Sequence, residues 1–364
     1  MKSLPQDARE RNRSLVLQKL FRRGAMSRAD LARETGLTRV TMSELVASLI
    51  DDHYVHEVGI SELRRPGKPA VLVDIARDGH RIVAIDLSGA SMLAGAVLSL
   101  DGDVLTRLRV PLPERSTEVL TATIALAQRL IASCDVPVLG LGVGSPGIID
   151  DRGVVLAAPN IGWGGMELQS RLSDALAVPV LVANDANAAV LAERTFGGSQ
   201  DDVVVVRVGS GLGAGLLTGG RPLRGGRYAA GEIGHVTVDG EGAPRCACGK
   251  VGCLEAWLSV PALHGRLGSS SSEQEKVAVL HQAGERLGTA LAPVVAALDL
   301  AEIVLSGPPD LLGGVFARAT VDTLRARTLA PFHDDVSVRL SEQGDDIVLR
   351  GAAVMVLSSV LGVS

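Results

Sequence analysis

Four side chains in one short stretch carry the clearest chemistry in the sequence. His235, Cys246, Cys248 and Cys253 follow the spacing H-x10-C-x-C-x4-C. Three thiols and an imidazole are the donor set of a closed, tetrahedral structural zinc site. Gly249 and Gly252 sit where the chain must bend to bring all four onto one ion. The chain has four cysteines, and three of them fall within eight residues. That crowding argues for metal over ordinary buried thiols or a secreted disulfide framework. The fourth, Cys134, reads as core.

Two carboxylates flank this loop, Glu232 in "GEIGH" and Glu255 in "GCLEAW". If His235 holds the metal through one ring nitrogen, the other is left to donate a hydrogen bond outward. The metal would then stiffen a loop that aims Glu232, His235 and Glu255 at one small polar ligand. Convergent acceptors and donors of this kind suit a hydroxyl-rich molecule. Asn184 and Asp185, at the end of a predicted strand over 180–183, can add a bidentate contact to two vicinal hydroxyls. Any one of these carboxylates alone would read as a solvated surface group.

The elements that must position these groups follow from composition and pattern. With 364 residues, 46% apolar and 21% charged, the chain is globular in composition and long enough for two or three domains. Aromatics are 2%, so the core is built from Ala, Val, Leu and Ile, and 42 glycines anticipate many tight turns. No apolar run reaches membrane-spanning length, and Met1–Ser14 is polar without a signal-peptide core, which points to a soluble, cytoplasmic protein with no membrane partner. The net charge of −5 is uneven: residues 1–40 hold 10 basic and 4 acidic side chains. A basic head on an acidic body suggests a module that binds a polyanion.

Three helical patterns occupy that head. Ser14 to Arg23 places Val16, Leu17, Leu20 and Phe21 on one face and stops at Gly24. Ser27 is an N-cap with Asp30 completing an acidic capping box, and the helix it opens ends at Gly36. Leu37 and Thr38 then turn into a third helix with Met42, Leu45, Val46 and Leu49 at i, i+3, i+4, i+7. Helix, short glycine turn, helix is the helix-turn-helix arrangement, whose second helix meets base edges in the major groove. Thr38 and Arg39 open that helix; Arg39 can donate twice to a guanine, and Thr41 and Ser43 can bond bases or phosphates. Tyr54–Val58 and Ala70–Ile75 read as a hairpin whose loop, with Arg64, Arg65, Gly67 and Lys68, forms a basic wing. The stretch "MSRADLARETGLTRVTMSELVASLIDDHYVHEVG" resembles the winged helix-turn-helix of bacterial repressors.

From Arg81 the pattern becomes α/β. A strand to Asp86, a Ser88–Gly89 turn, a strand near Met92–Leu100, an Asp-Gly turn and a third strand recur later as Val203–Val208, Gly209–Gly213, Ala214–Thr218 and Gly219–Gly220. The repeat predicts two similar lobes with a ligand between them, and Ile347–Leu361 a final helix that returns to the first lobe.

The segments "VPVLVANDANAAVLAE", "VGSGLGAGLLTGGRPLRGG", "AGEIGHVTVDG" and "CACGKVGCLE" resemble the repressor–open-reading-frame–kinase (ROK) family. The resemblance implies an actin-like, ribonuclease-H-type fold of two lobes over residues 80–364, after a winged helix-turn-helix over 1–76, with the second lobe at about 184–340. It implies a hexose or amino sugar in the cleft, touched by Asn160 of "APNIGWGG", Asn184, Asp185, Glu232, His235 and Glu255, with zinc as cofactor. Asp185 stands in the place of the family's catalytic base.

The family holds both sugar kinases and sugar-responsive regulators. Its kinases have Asp-x-Gly-Gly-Thr in the first glycine turn, whereas this chain has Asp86-Leu87-Ser88-Gly89-Ala90. The later glycine segment reads Ser306-Gly307-Pro308-Pro309, and its prolines remove amide donors. These departures, beside an appended DNA-reading head, predict a non-enzymatic repressor whose operator binding a sugar alters. It would bind a pseudo-palindromic site as a homodimer or homotetramer. The alternative is an active ATP-dependent sugar kinase with a regulatory DNA-binding arm, favoured by Asp185 and the intact Gly209–Gly213 turn.

Overall fold

Local signals in the head fold as their residue types dictate. The computed structural model describes residues 5–60, 70–240, 242–329 and 335–363. Helix α1 (Pro5–Arg23) begins earlier than its apolar stripe announces and ends at Gly24. Helix α2 (Arg28–Thr35) starts at Ser27, whose hydroxyl accepts from the Asp30 amide and donates to its carboxylate at 2.7 Å. It stops at Gly36 in the left-handed conformation that glycine adopts at least cost. Helix α3 (Arg39–Asp51) buries Met42, Leu45, Val46 and Leu49. A short strand β1 (Met26–Ser27), with no clear sequence signal, pairs with β3 (Val71–Ile75), which also pairs with β2 (Val55–Ile60). The wing residues Arg64, Arg65, Gly67 and Lys68 lie outside the described residues.

The body contains two five-stranded sheets of one topology. In the first, β4 (Arg81–Asp86), β5 (Met92–Leu98) and β6 (Val104–Pro111) form an antiparallel meander. On the other side of β4, β7 (Val138–Ser145) and β10 (Val180–Asn184) run parallel to it, with a small hairpin of β8 (Ile148–Ile149) and β9 (Val155–Ala157) between them in sequence. The second repeats this with β11 (Val203–Val208), β12 (Leu212–Thr218) and β13 (Arg221–Pro222), then β14 (Glu302–Ser306) and β15 (Ser337–Leu340) beside β11. The expected internal repeat is therefore real.

Period-two alternation assigns each strand two faces. In β4, Val83 and Ile85 face a cluster with α4 (Ser116–Ala132) and α5 (Leu168–Ala175). Ile82 and Ala84 face the opposite way, toward α12 (Ile347–Val356). In β11, Val204 and Val206 face a core that includes α7 (Leu254–Leu258), α8 (Val260–Gly268), α9 (Glu273–Leu298), α10 (Pro309–Leu312) and α11 (Val315–Arg327), while Val203 and Val205 face α6 (Asp185–Phe196). The centre is thus a stack: first sheet, α12, α6, second sheet. Glycines let its layers touch through their backbones. A Cβ on Gly142 would strike Ala352, one on Gly351 would strike Ala188, and one on Gly215 would strike Ala186.

The final segment extends beyond that stack. Leu357, Leu361 and Val363 are buried in the same cluster as Val16, Leu17 and Leu20 of α1 and Ile82 and Leu98 of the first sheet. Head and first lobe therefore share one apolar core. Polar contacts brace the seam: Tyr54 stacks on His80 with centroids 4.7 Å apart, and Arg13 lies over the same tyrosine while bonding Asp52 at 2.6 Å.

Candidate functional site: a carboxylate-lined cleft beside a thiol cluster

A cavity of about 260 Å³ opens between the lobes, at the carboxyl ends of β7, β10 and β11. Asn160, Asn184, Asp185, Glu232, His235 and Glu255 all line it, together with Ser88, Arg207, Ser210 and Cys248. Residues far apart in sequence thus meet in one place. Asn160 lies exposed at the rim on a short turn, Pro159–Ile161.

Asn184 is placed differently from the expected bidentate contact. Its carbonyl oxygen caps α6 by accepting from the Ala186 and Asn187 amides at 2.9 and 3.0 Å. Its amide nitrogen donates to the Gly147 carbonyl and to Asp185 Oδ1 at 2.9 and 3.2 Å. Both donors and both lone pairs are committed. Asn184 therefore orients Asp185 and the 146–148 loop.

Asp185 is itself engaged, and by a residue that sequence reasoning passed over. Arg207, on β11, forms an ion pair with its carboxylate. The same guanidinium donates to Ser88 Oγ at 2.8 Å and lies 3.7 Å from Asp86 Oδ2. Burial opposes the charge on Arg207, but Asp185 and Asp86 outweigh it and hold the group above its ordinary range. Burial pushes Asp185 up; Arg207 pulls it down and Asp86 adds to the rise. The signal was present in the sequence as the one charged residue within the strand "VVVVRV". Ser88, which stands where the family's kinases have a glycine, is also part of this network: its amide donates to Asp86 at 2.8 Å.

On the opposite wall Glu232 is partly buried; burial raises its carboxyl, His235 lowers it, and Asp185 and Glu255 add to the rise. Glu255 Oε2 accepts from the Leu212 amide in the second glycine turn at 3.0 Å, and Oε1 lies 3.5 Å from Cys246 Sγ. One amide of that turn is therefore already occupied by a carboxylate. The cavity offers several anionic acceptors around little free positive charge, an environment for hydroxyls.

Behind this wall, one donor atom from each of His235, Cys246, Cys248 and Cys253 lies within 4.8 Å of the others. Cys248 and Cys253 sulfurs are 3.7 Å apart, and Cys246 Sγ is 3.6 Å from His235 Nδ1. The edges of a tetrahedron with metal–sulfur bonds near 2.3 Å and metal–nitrogen bonds near 2.0 Å are about 3.5–3.8 Å. The cluster can hold a tetrahedral metal ion. Nδ1 of His235 faces the thiols, which leaves Nε2 for the cavity. Burial pushes the Cys246 thiol up to about 12, and burial also raises Cys253, while the Lys250 amide lowers Cys248. Cys134 stands apart, half-buried, with its thiol raised by burial.

In the head, Thr38 caps α3: its hydroxyl accepts from the Thr41 amide at 3.2 Å and lies 2.9 Å from Thr41 Oγ1. Both hydroxyls serve the helix start. Arg39 and Ser43 are exposed.

Comparison with known proteins agrees with this geometry. The ROK family model matches residues 82–359. The chain belongs to the ROK family. Among ROK relatives, a putative xylose repressor from Caldicellulosiruptor sp. (strain Rt8B.4) is 27% identical over 96% of each chain. The crystal structure of a ROK family transcriptional regulator, a homologue of the E. coli MLC protein, superposes with a TM-score of 0.85 at 26% identity, over 98% of this chain and 97% of that one. An N-acetylmannosamine kinase of Escherichia coli O7:K1 is 30% identical, but over 77% of this chain and 99% of the kinase. Similarity to the ROK regulators thus spans nearly the whole chain, whereas the kinase lacks a counterpart for about a quarter of it. The two-lobed ROK fold and its regulator-like organisation are the expected ones.

Proposed function

We propose that this ROK protein is a transcriptional repressor that reads an operator with its N-terminal head and responds to a sugar in its cleft. The ion pair between Arg207 and Asp185 carries the reading. In the ROK kinases the residue at Asp185 takes a proton from the sugar hydroxyl; here a guanidinium bonded to Ser88 and near Asp86 holds that carboxylate. With Oδ2 paired to Arg207 and Oδ1 accepting from Asn184, both oxygens of this carboxylate are engaged. Burial raises it, but the position a proton would take is occupied, while a hydroxyl can still donate to it. Asp185, Glu232, Glu255, His235 Nε2 and Asn160 are the ligand contacts, and Asn184 positions Asp185.

The His-Cys₃ cluster fits zinc, held by His235 Nδ1 and the sulfurs of Cys246, Cys248 and Cys253. Zinc there supplies no chemistry on the sugar; it fixes the loop that presents Glu232, His235 and Glu255. In the head, Arg39 and Ser43 contact DNA directly, Thr38 and Thr41 shape the helix start, and Arg64, Arg65, Gly67 and Lys68 add contacts to the DNA. A homodimer presents two heads to half-sites of a pseudo-palindrome, one helical turn or a multiple apart. A sugar that binds one arrangement of the lobes more tightly shifts the population toward it, and operator affinity must change reciprocally. The relatives named as repressors of xylose functions make a pentose or hexose the first effector to try.

The test is selection of source-genome fragments by the full-length protein at physiological salt, with and without xylose, glucose and N-acetylglucosamine, alongside an ADP-production assay with the same sugars and ATP. Enrichment of an inverted repeat, weakened by one sugar and without ADP formation, supports the reading. ADP formation without any enriched sequence overturns it in favour of a sugar kinase.

A further inference from the structure

We infer that Val40 and Glu44 of α3 select thymine and cytosine in each half-site. This deepens the operator-binding reading and rests on it. Helix α3 turns Met42, Leu45, Val46 and Leu49 into the core, so the opposite stripe holds Val40, Ser43, Glu44 and Ala47, all exposed. Val40 is 69% exposed, more than any other large apolar side chain among the described residues. A β-branched residue gains nothing in an exposed helical turn, where it is a weaker helix former than Ala, Arg or Glu and leaves its methyls in water. The hydroxyls beside it are already used, because Thr38 and Thr41 bond each other and cap the helix. The atoms projecting from this turn are therefore the valine methyls, with Arg39 beside them.

Glu44 is the second anomaly. It lies one turn further along the outward stripe, and among the described residues no cation pairs with it. A carboxylate facing a phosphate-lined groove is repelled unless it accepts a hydrogen bond there. Cytosine N4 is the donor that the major groove presents without a neighbouring acceptor on the same base, and the thymine methyl is the one apolar group on a base edge there. Residues four apart on a helix are about 6 Å apart along its axis, which spans roughly two base-pair steps of 3.4 Å. Val40 and Glu44 thus read positions one or two steps apart: a methyl against methyls, and an acceptor against an amine.

The experiment uses the full-length protein and a randomised duplex library. Selection with the wild type should yield half-sites in which a thymine and a cytosine stand one or two base pairs apart. Replacing that thymine by deoxyuridine removes one methyl and should weaken wild-type binding about fourfold, the worth of one buried methyl group. Val40→Ala should bind the two duplexes equally. Glu44→Gln should lose roughly tenfold of the discrimination at the cytosine and keep the sensitivity to deoxyuridine. Both side chains are exposed, so unchanged melting temperatures will show that the variants fold. An enriched half-site that tolerates deoxyuridine, or a Val40→Ala variant still sensitive to it, would overturn the thymine assignment. Unchanged discrimination in Glu44→Gln would overturn the cytosine assignment. Failure to enrich any sequence would instead remove the operator-binding reading beneath both.

Discussion

At the scale of single residues, the cleft stores charge that folding alone would not choose. Glu232 is desolvated, with Asp185 and Glu255 nearby, and its raised carboxyl means that the native chain takes up a proton more readily than the unfolded one. The contribution of this group to stability is therefore lost as pH rises through its folded value, starting just above the ordinary range near pH 4.3. Glu232→Gln should equal or exceed the wild type in melting temperature at pH 7 yet bind sugar at least about tenfold more weakly, as expected for a lost charged hydrogen bond. Calorimetry and titration on one sample check both halves. Cys248→Ser removes one of the four donors of the proposed metal site; the expected outcome is loss of metal content and of the sugar response with operator binding without sugar intact, checked by metal analysis and a binding titration. The residues that converge here were legible in the sequence because their types and spacing are unusual. Arg207 was not, because its role depends on how the two sheets stack: only the fold brings β11 of the second sheet up to Asp185 of α6 and Asp86 of the first sheet.

At the scale of elements, local rules specified more than boundaries suggest. Ser27, Gly36 and the apolar stripe of α3 predicted the head's helices, and the strand–glycine-turn repeat predicted both sheets. What local pattern could not show is pairing across the fold. Strand β1 is two residues long and forms only because β3 offers it an edge. Three charged side chains in the second lobe also acquire meaning only there. Arg339 on β15 bonds Glu193 of α6 at 2.9 Å and Glu302 of β14 at 2.7 Å, and the two carboxylates are 0% and 9% exposed. Arg339→Ala would leave both acids buried without their cation. It should destabilise the chain by about 3–5 kcal/mol in a denaturant titration, the usual cost of breaking a buried pair from one side. A loss below 1 kcal/mol would mean that water replaces the arginine.

At the scale of the whole molecule, the path from the cleft to the head is short and continuous. Asp185 begins α6, α6 packs on α12, and the chain beyond α12 lies against α1 of the head. Leu361 sits at the end of that path, 1% exposed, in the cluster that contains Leu17 and Leu20. Leu361→Ala should cost about 2–5 kcal/mol and lower operator affinity, while sugar affinity in the distant cleft stays unchanged. Equal loss at both sites would show that the whole body, not the seam, has loosened.

The shared core also bears on how such a chain can be recombined. A cut after residue 76 looks like the natural place to exchange one reading head for another, yet that cut divides a single apolar cluster whose other side is supplied by the first sheet, α12 and residues 357–363. A chimaera that imports a foreign head while keeping its own tail joins two surfaces shaped for different partners. Gly362 leaves no room for error, since a Cβ there would meet Ser14. The α1 segment and residues 357–363 are a matched pair, to be inherited or transplanted together.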